Sequence, residues 1–255
     1  MRTLLILLAL IVAAAGGYAF KEFAVAEDPA PPAAAATNQA EIDQAISQYL
    51  KQHPEEVLAA LQLAQVQAEQ KQQADAVKSL ADRRAEIFNN PADPVLGNPQ
   101  ADVTVVEFFD YRCPYCKKVS DALLTLAKDD PKLRVVYKEF PILGPDSLVA
   151  SQVALAAQKQ GKYHEVHEAL MAHKGSFEKA ALLEVAANAG ADRQRLSADM
   201  EDPAILEQLQ KNDALAASLG ITGTPGFIFN NKLVPGAISL EDMKNLVSEI
   251  RAQAG

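Results

Sequence analysis

The stretch from Val103 to Tyr111, VTVVEFFDY, is almost unbroken in β-branched and aromatic residues. It limits the possible folds more than any other segment. A half-exposed strand would alternate apolar and polar residues; a continuous run predicts a strand covered on both faces. Directly after it come Arg112 and then Cys113-Pro114-Tyr115-Cys116, the only two cysteines in the chain. A helical pattern follows, with Val119, Leu123, Leu124 and Leu126 as its apolar positions. A second strand is expected in KLRVVYKEFPIL. From Ser147 to Leu219 the period is helical, in pieces beginning near Ser147, Lys162, Lys179 and Pro203. TPGFIFNNKLVPG reads as a hairpin around Asn230-Asn231. A last amphipathic helix is expected from about Ser239 to Ala252, with Leu240, Met243, Leu246, Val247 and Ile250 inward. Strands interleaved with helices in this order predict an α/β fold.

The spacing of the cysteines has a chemical reading. At a strand-to-helix junction Cys113 would be the N-cap, where unpaired backbone N–H groups and the helix dipole favour a thiolate. Cys116 would sit one turn in, more buried and within disulfide reach. Pro114 suits a first helical turn, and Tyr115 flanks the sulfurs. Lys117 and Lys118 read as solvated lysines of small effect. Structural zinc requires about four ligands, and neither a second Cys pair nor suitably spaced histidines are present. A disulfide across two residues closes almost no loop and is a poor staple. A redox pair is therefore the expectation. Its rival from another class is a metallochaperone holding Cu(I) between the two thiolates.

The rest of the chain sets the context. Arg2, an uncharged stretch from Thr3 to Phe20, and small residues near Ala19 and Ala26 make residues 1–26 an export signal, cleaved or retained as an anchor. Its Leu-rich core and Ala-rich end point to a bacterial periplasm, where disulfide chemistry is permitted. Residues 27–37 read as a Pro/Ala linker. Residues 38–92 read as helical: Ile42, Ile46 and Leu50 on one face, a break at His53-Pro54, then Val57, Leu58, Leu61 and Leu63 before a mostly polar helix. Such a helix is a solvated spacer or a seam with partner chains. The turn-rich NNPADPVLGNPQA marks the start of the main domain, residues 93–255. A formal charge of −9 argues against nucleic acid as a partner.

VEFFDYRCPYCKK together with GITGTPGFIF resembles the DsbA-like family of periplasmic thiol-disulfide oxidoreductases. That resemblance implies a thioredoxin fold with an inserted helical domain, here at about residues 146–220, preceded by an N-terminal α-helical extension. It implies that Cys113 exchanges with the client and Cys116 resolves. It also implies that Pro225 is a cis-proline which, with Thr224, binds substrate backbone, and that Glu107 is an acid assisting proton transfer at Cys116. The other reading of Glu107 is a carboxylate at a strand end facing solvent; Lys138 is a candidate partner for it. The N-terminal stretch resembles the ScsC-like branch, which implies a homo-oligomer, a trimer, through residues 38–90 and an isomerase. Thr224 resembles the isomerase DsbC, where DsbA has Val. Cys-Pro-Tyr-Cys departs from the Cys-Pro-His-Cys of DsbA and lacks one stabiliser of the thiolate. Partners so implied are exported proteins with cysteines and either a DsbD- or ScsB-like membrane reductant or a DsbB-like oxidant. A monomeric DsbA-type oxidase is the alternative. No cofactor beyond the dithiol is implied. His164 and His167, three apart on a helix, read as solvated surface residues, with a copper or zinc pair as the alternative.

Overall fold

The computed structural model describes residues 34–254, so the expected export signal and most of the Pro/Ala stretch lie outside the described residues. In chain order the elements are α1 (Ala34–Gln52), α2 (Pro54–Asp82), α3 (Arg84–Phe88), β1 (Val95–Gly97), β2 (Val103–Phe109), α4 (Pro114–Asp129), β3 (Leu133–Glu139), α5 (Pro145–Gln158), α6 (Tyr163–Ala172), α7 (Lys179–Asn188), α8 (Arg193–Asp199), α9 (Pro203–Ser218), β4 (Gly226–Phe229), β5 (Lys232–Pro235) and α10 (Leu240–Ala254). The chain divides into two units between Gln62 and Leu63.

In the first unit α1 stops one residue before Pro54, whose ring disfavours helical geometry at His53. Pro54 then opens α2 with Glu55 and Glu56 in its first turn, where the helix dipole favours acids. Tyr49 donates to Glu56 at 2.8 Å across the break. Ile42, Ile46 and Leu50 recur every four residues and are each about half exposed, at 45, 52 and 46 %.

In the second unit five strands form one sheet in the order β1-β3-β2-β4-β5. β2 and β3 are parallel, from Val103 opposite Leu133 to Phe109 opposite Glu139. The other pairs are antiparallel. All residues of β2 are buried, as an unbroken apolar run predicts. Val103, Val105 and Phe109 face a core shared with α4, α10 and the helices between β3 and β4. Val106 and Phe108 face the other side, against Leu80, Ile87, Phe88, Leu215 and Leu219. The five helices α5–α9 lie between β3 and β4, so the fold is a thioredoxin fold with an inserted helical domain and an N-terminal helical extension.

Two elements escaped the periodicity. β1 is three residues long, too short to show a period, and lies within a turn-rich segment. Gly97 there has φ 93°, and a Cβ on it would fall 2.5 Å from the Leu133 carbonyl oxygen, so only glycine fits. α8 is seven residues, capped by Asp192, whose carboxylate accepts from the Arg195 N–H at 2.9 Å. At the hairpin, Asn230 takes φ 52° and its side chain accepts from the Thr104 N–H at 2.8 Å.

Lys138 does not pair with Glu107. Glu107 stands opposite Tyr137, and Lys138 opposite Phe108, so the two side chains leave opposite faces of the sheet. Lys138 instead forms a buried ion pair with Asp93 and donates to the Glu86 carbonyl at 2.6 Å. Burial pushes Asp93 up and Lys138 down, which marks a pair held together against desolvation. Lys138→Met is expected to cost about 3 kcal/mol or more, because it strands a buried carboxylate, and Lys138→Met with Asp93→Asn to cost clearly less. Urea denaturation of both variants reads the difference.

Candidate active site

Cys113 is the N-cap of α4, with extended backbone (φ −72°, ψ 117°) and Pro114 just behind it. Pro114 gives up an N–H that has no partner at a first helical turn and supplies the right φ. The Cys113 side chain does not cap the helix. Its thiol donates to the Thr224 carbonyl at 3.2 Å, and the Thr224–Pro225 bond is cis. The two motifs, far apart in sequence, are therefore in contact. Pro225 is buried, Thr224 half-buried, and Pro114 and Tyr115 are exposed. A groove of about 230 Å³ lies along the cis-proline loop, between Ile221, Thr224, Pro225, Leu233 and Pro235.

Both thiols are free. Cys113 is 4 % exposed and Cys116 0 %, so the first sulfur is the only one with any opening to solvent. Burial pushes the Cys116 thiol far up, and the Glu107 charge adds to this. The loop carrying Cys113 is pinned by Asp110, which is fully buried. Its carboxylate accepts from Arg112 N–H at 2.7 Å and from Leu143 N–H at 2.9 Å, and its carbonyl accepts from Cys113 N–H at 3.0 Å.

Glu107 does not face solvent. It is 1 % exposed, on the same sheet face as Val105 and Phe109, beneath Cys116. Burial and then the neighbouring Glu139 push its carboxyl up to about 8; one of its oxygens, Oε1, has no hydrogen-bond partner. Lys117 is not a solvated lysine either: its ammonium donates to the carbonyls of Leu170, Met171 and His173, capping the end of α6. Lys118 is exposed.

The expectation for the histidines fails at His167, which is 2 % exposed. It lies stacked with Tyr163 at 5.6 Å between centroids and edge-on to Phe109 at 5.0 Å. Burial pushes it down to about 3, so the ring is neutral. His164 is half-buried, with Nε2 3.0 Å from the Val95 carbonyl oxygen. The two rings share a helix face only in part, because α6 packs its inner edge into the core.

Sequence reasoning missed Glu139 and its partners. Glu139 is fully buried at the end of β3. Tyr111 and Tyr163 both donate to its Oε1, at 2.9 and 2.7 Å. With the Tyr111 proton so used, His167 Nδ1, 3.0 Å away, must be the donor to the Tyr111 oxygen. The available signal was a second acid in an apolar strand, last in β3 where Glu107 lies inside β2.

A family model described as the DSBA-like thioredoxin domain matches residues 104–248. Among solved structures, a thioredoxin-like oxidoreductase from Silicibacter pomeroyi superposes with a TM-score of 0.64 at 44 % identity, covering 66 % of this chain and 98 % of that one. A linker-deletion mutant of Proteus mirabilis ScsC gives a TM-score of 0.67 at 27 % identity, covering 89 % of this chain and 100 % of that one. The thiol:disulfide interchange protein DsbA of Bordetella parapertussis is 28 % identical over 159 residues, 60 % of this chain and 76 % of that protein. Other curated relatives are Na(+)/H(+) antiporters such as that of Salinispora arenicola, 32 % identical over 164 residues; the chain spans about a quarter of their length.

Two outcomes are expected from this geometry. Brief alkylation of the reduced native protein should label Cys113, and Cys116 only after denaturation; mass mapping that finds Cys116 labelled first would reverse the two roles. A carboxyl raised in the folded state stabilises the fold at low pH and loses that contribution as pH climbs through its folded midpoint. Glu107→Gln should therefore gain stability relative to the unsubstituted chain between about pH 5 and pH 8, on the order of 3 to 4 kcal/mol, read by urea denaturation at both pH values.

Proposed function

Since this chain belongs to the family of DSBA-like thioredoxin domains, we propose that it is a protein thiol-disulfide oxidoreductase acting on exported proteins with cysteines, and within that class an isomerase or reductase. The observation that carries this reading is the contact of the Cys113 thiol with the Thr224 carbonyl at the cis-proline, with Cys116 sealed behind it. A nucleophilic sulfur beside a cis-proline loop can take a client segment and attack its disulfide in one complex.

In the reducing direction the Cys113 thiolate attacks a client disulfide. The client S–S bond breaks, a Cys113–client S–S bond forms, and one client sulfur leaves as a thiolate. Cys116 then loses its proton to Glu107 and attacks Cys113 Sγ. The Cys113–Cys116 bond forms, the second client sulfur leaves, and the client has gained two electrons. An isomerase instead lets the freed client thiolate attack elsewhere in the client and return Cys113 unchanged. Glu107 is suited to the proton step because it is buried on the face that carries Cys116, and burial pushes its carboxyl up to about 8. Pro114 and Tyr115 border Cys113 on the exposed side and tune its surroundings, while Thr224 and Pro225 hold client backbone.

The isomerase assignment rests on the N-terminal helices. Ile42, Ile46, Leu50, Leu58 and Leu61 are all between 45 and 63 % exposed, a series of apolar side chains that a solvated monomer would leave wet. Burying these faces against copies of this chain gives a homo-oligomer, a trimer, through residues 38–90. Likeness to ScsC over 89 % of the chain supports this. Several Cys113 sites around one client favour repeated exchange, and a DsbD- or ScsB-like membrane reductant would keep them reduced. A DsbB-like oxidant would serve the alternative, a monomeric oxidase. The workplace is the periplasm; among the described residues no helix is long and apolar enough to cross a membrane.

Light scattering should find a multimer for the mature chain and a monomer once residues before about 90 are removed. Scrambled-ribonuclease refolding should fall with that deletion while dithiol oxidation persists. A monomeric mature chain, or a truncated one that isomerises equally well, leaves the oxidase as the better reading. Stoichiometric Cu(I) binding under reducing conditions with no thiol exchange would favour the metallochaperone instead.

A further inference from the structure

Glu107 and Glu139 leave β2 and β3 on the same face of the sheet. Glu107 stands opposite Tyr137 and Phe109 opposite Glu139, so the two acids are diagonal neighbours, two residues apart in register. Both are fully buried, and each has one oxygen without a partner, Oε1 of Glu107 and Oε2 of Glu139. Neither forms an ion pair among the described residues. Lys138, next in sequence to Glu139, goes to the opposite face and to Asp93. Lys117, one residue after Cys116, is spent on the α6 carbonyls. Two buried carboxyls this close, with no cation between them, resist both being ionised at once.

The groups around Glu139 are arranged to hold a charge there when one is present. Tyr111 from the loop before Cys113 and Tyr163 from α6 both donate to Oε1. His167 from α6 meets the Tyr111 oxygen. Asp110 on the loop, Glu107 on β2, Tyr137 on β3, Glu168 on α6 and Cys116 on α4 are further titratable groups that bear on this face. Glu107 has no such donors at its free oxygen, so the pair is asymmetric. One carboxyl is hydrogen-bonded and remote from sulfur; the other lies bare beneath Cys116.

We propose that Glu139 is a positioning residue for thiol-disulfide exchange: by sharing one negative charge with Glu107 on the β2–β3 face, it sets the pH at which Glu107 can take the Cys116 proton. When Glu139 is ionised, Glu107 keeps its proton and cannot act as base. When Glu139 holds a proton, Glu107 is free to ionise, to accept the proton from Cys116 Sγ and to release the thiolate that attacks Cys113. The S–H bond of Cys116 breaks, an O–H bond forms on Glu107, and the reverse step returns that proton when Cys116 leaves as a thiolate. The inference rests on the assignment of Glu107 as the proton partner of Cys116.

The test uses the full chain loaded as a Cys113–glutathione mixed disulfide, with glutathione release by Cys116 timed across pH. The unsubstituted protein should show a rate midpoint near 8, that of Glu107. Glu139→Gln removes the competing charge and should move that midpoint down by about one pH unit. Tyr163→Phe removes a donor that stabilises ionised Glu139 and should move it in the same direction by less. In a Glu107→Gln background, adding Glu139→Gln should change nothing further. A Glu107→Gln profile that keeps its midpoint overturns the Glu107 assignment. A profile that loses its midpoint in Glu107→Gln but is unmoved in Glu139→Gln leaves that assignment standing and overturns the present inference. A uniform slowing at every pH in Glu139→Gln, with no shift of midpoint, marks a purely structural role and overturns it too. If Glu139→Gln does not fold by near-ultraviolet dichroism, an unmoved midpoint in Tyr163→Phe overturns it alone.

Discussion

Side chains at matching positions of two parallel strands leave the sheet on the same side, and the pairing of β2 with β3 applies this to three charged residues at once. Glu107 and Glu139 fall on the face that carries the cysteines, and Lys138 on the other. A slip of β3 by one residue would exchange Lys138 and Glu139 between the faces, placing a lysine beside Glu107 on the cysteine face and an acid against Leu80 and Phe88. The register is fixed by apolar residues, because Val105, Phe109 and Val135 fit one core and Val106, Phe108 and Val136 the other. The chemistry of the site thus depends on packing that includes no catalytic atom.

The same logic joins the two ends of the fold. β4 pairs with β2 from Val105 opposite Phe229 to Phe108 opposite Gly226. That pairing brings the residue before Gly226, the cis-proline, level with the end of β2 and so beside Cys113. A Cβ at Gly226 would fall 2.8 Å from the Ile221 side chain, so the loop that offers the Thr224 carbonyl closes tightly on itself. The Cys113–Thr224 contact follows from sheet pairing on one side and helix capping on the other.

Much of this was legible in the residues. The unbroken strand, the Cys-x-x-Cys at a strand-to-helix junction and the Thr-Pro before a short strand fixed the expectation of fold and thiol chemistry, and the cis bond at Pro225 was expected from the resemblance. The misreadings share a cause. Lys117 and His167 read as surface residues, the default for polar side chains when only one element is considered at a time, and Lys138 reads as paired with the wrong buried partner, Glu107. Their burial comes from a second element: three helix-end carbonyls for Lys117, Asp93 for Lys138, and a tyrosine cage for His167. Glu139 was missed for the same reason, since its partners come from a loop and a helix that are distant in sequence.

The grip of Lys117 on the last turn of α6 has a mechanical meaning. The inserted helices are joined to the sheet by two covalent crossings, one after Glu139 and one before Gly226, and two crossings define an axis about which a domain can swing. Tyr163 on Glu139, His164 on Val95 and the shared apolar core already hold α6 to the sheet, and Lys117 adds an attachment from the helix that carries Cys116. Attachments on both β1 and β3 and on α4 leave α6 as a fixed wall beside the cysteine pair. Swinging the insertion outward would have to part this ammonium from three carbonyls, each a charge-assisted bond of above-average strength, as well as Tyr163 from Glu139. The helix that bears the cysteines is therefore also the latch of the domain beside it.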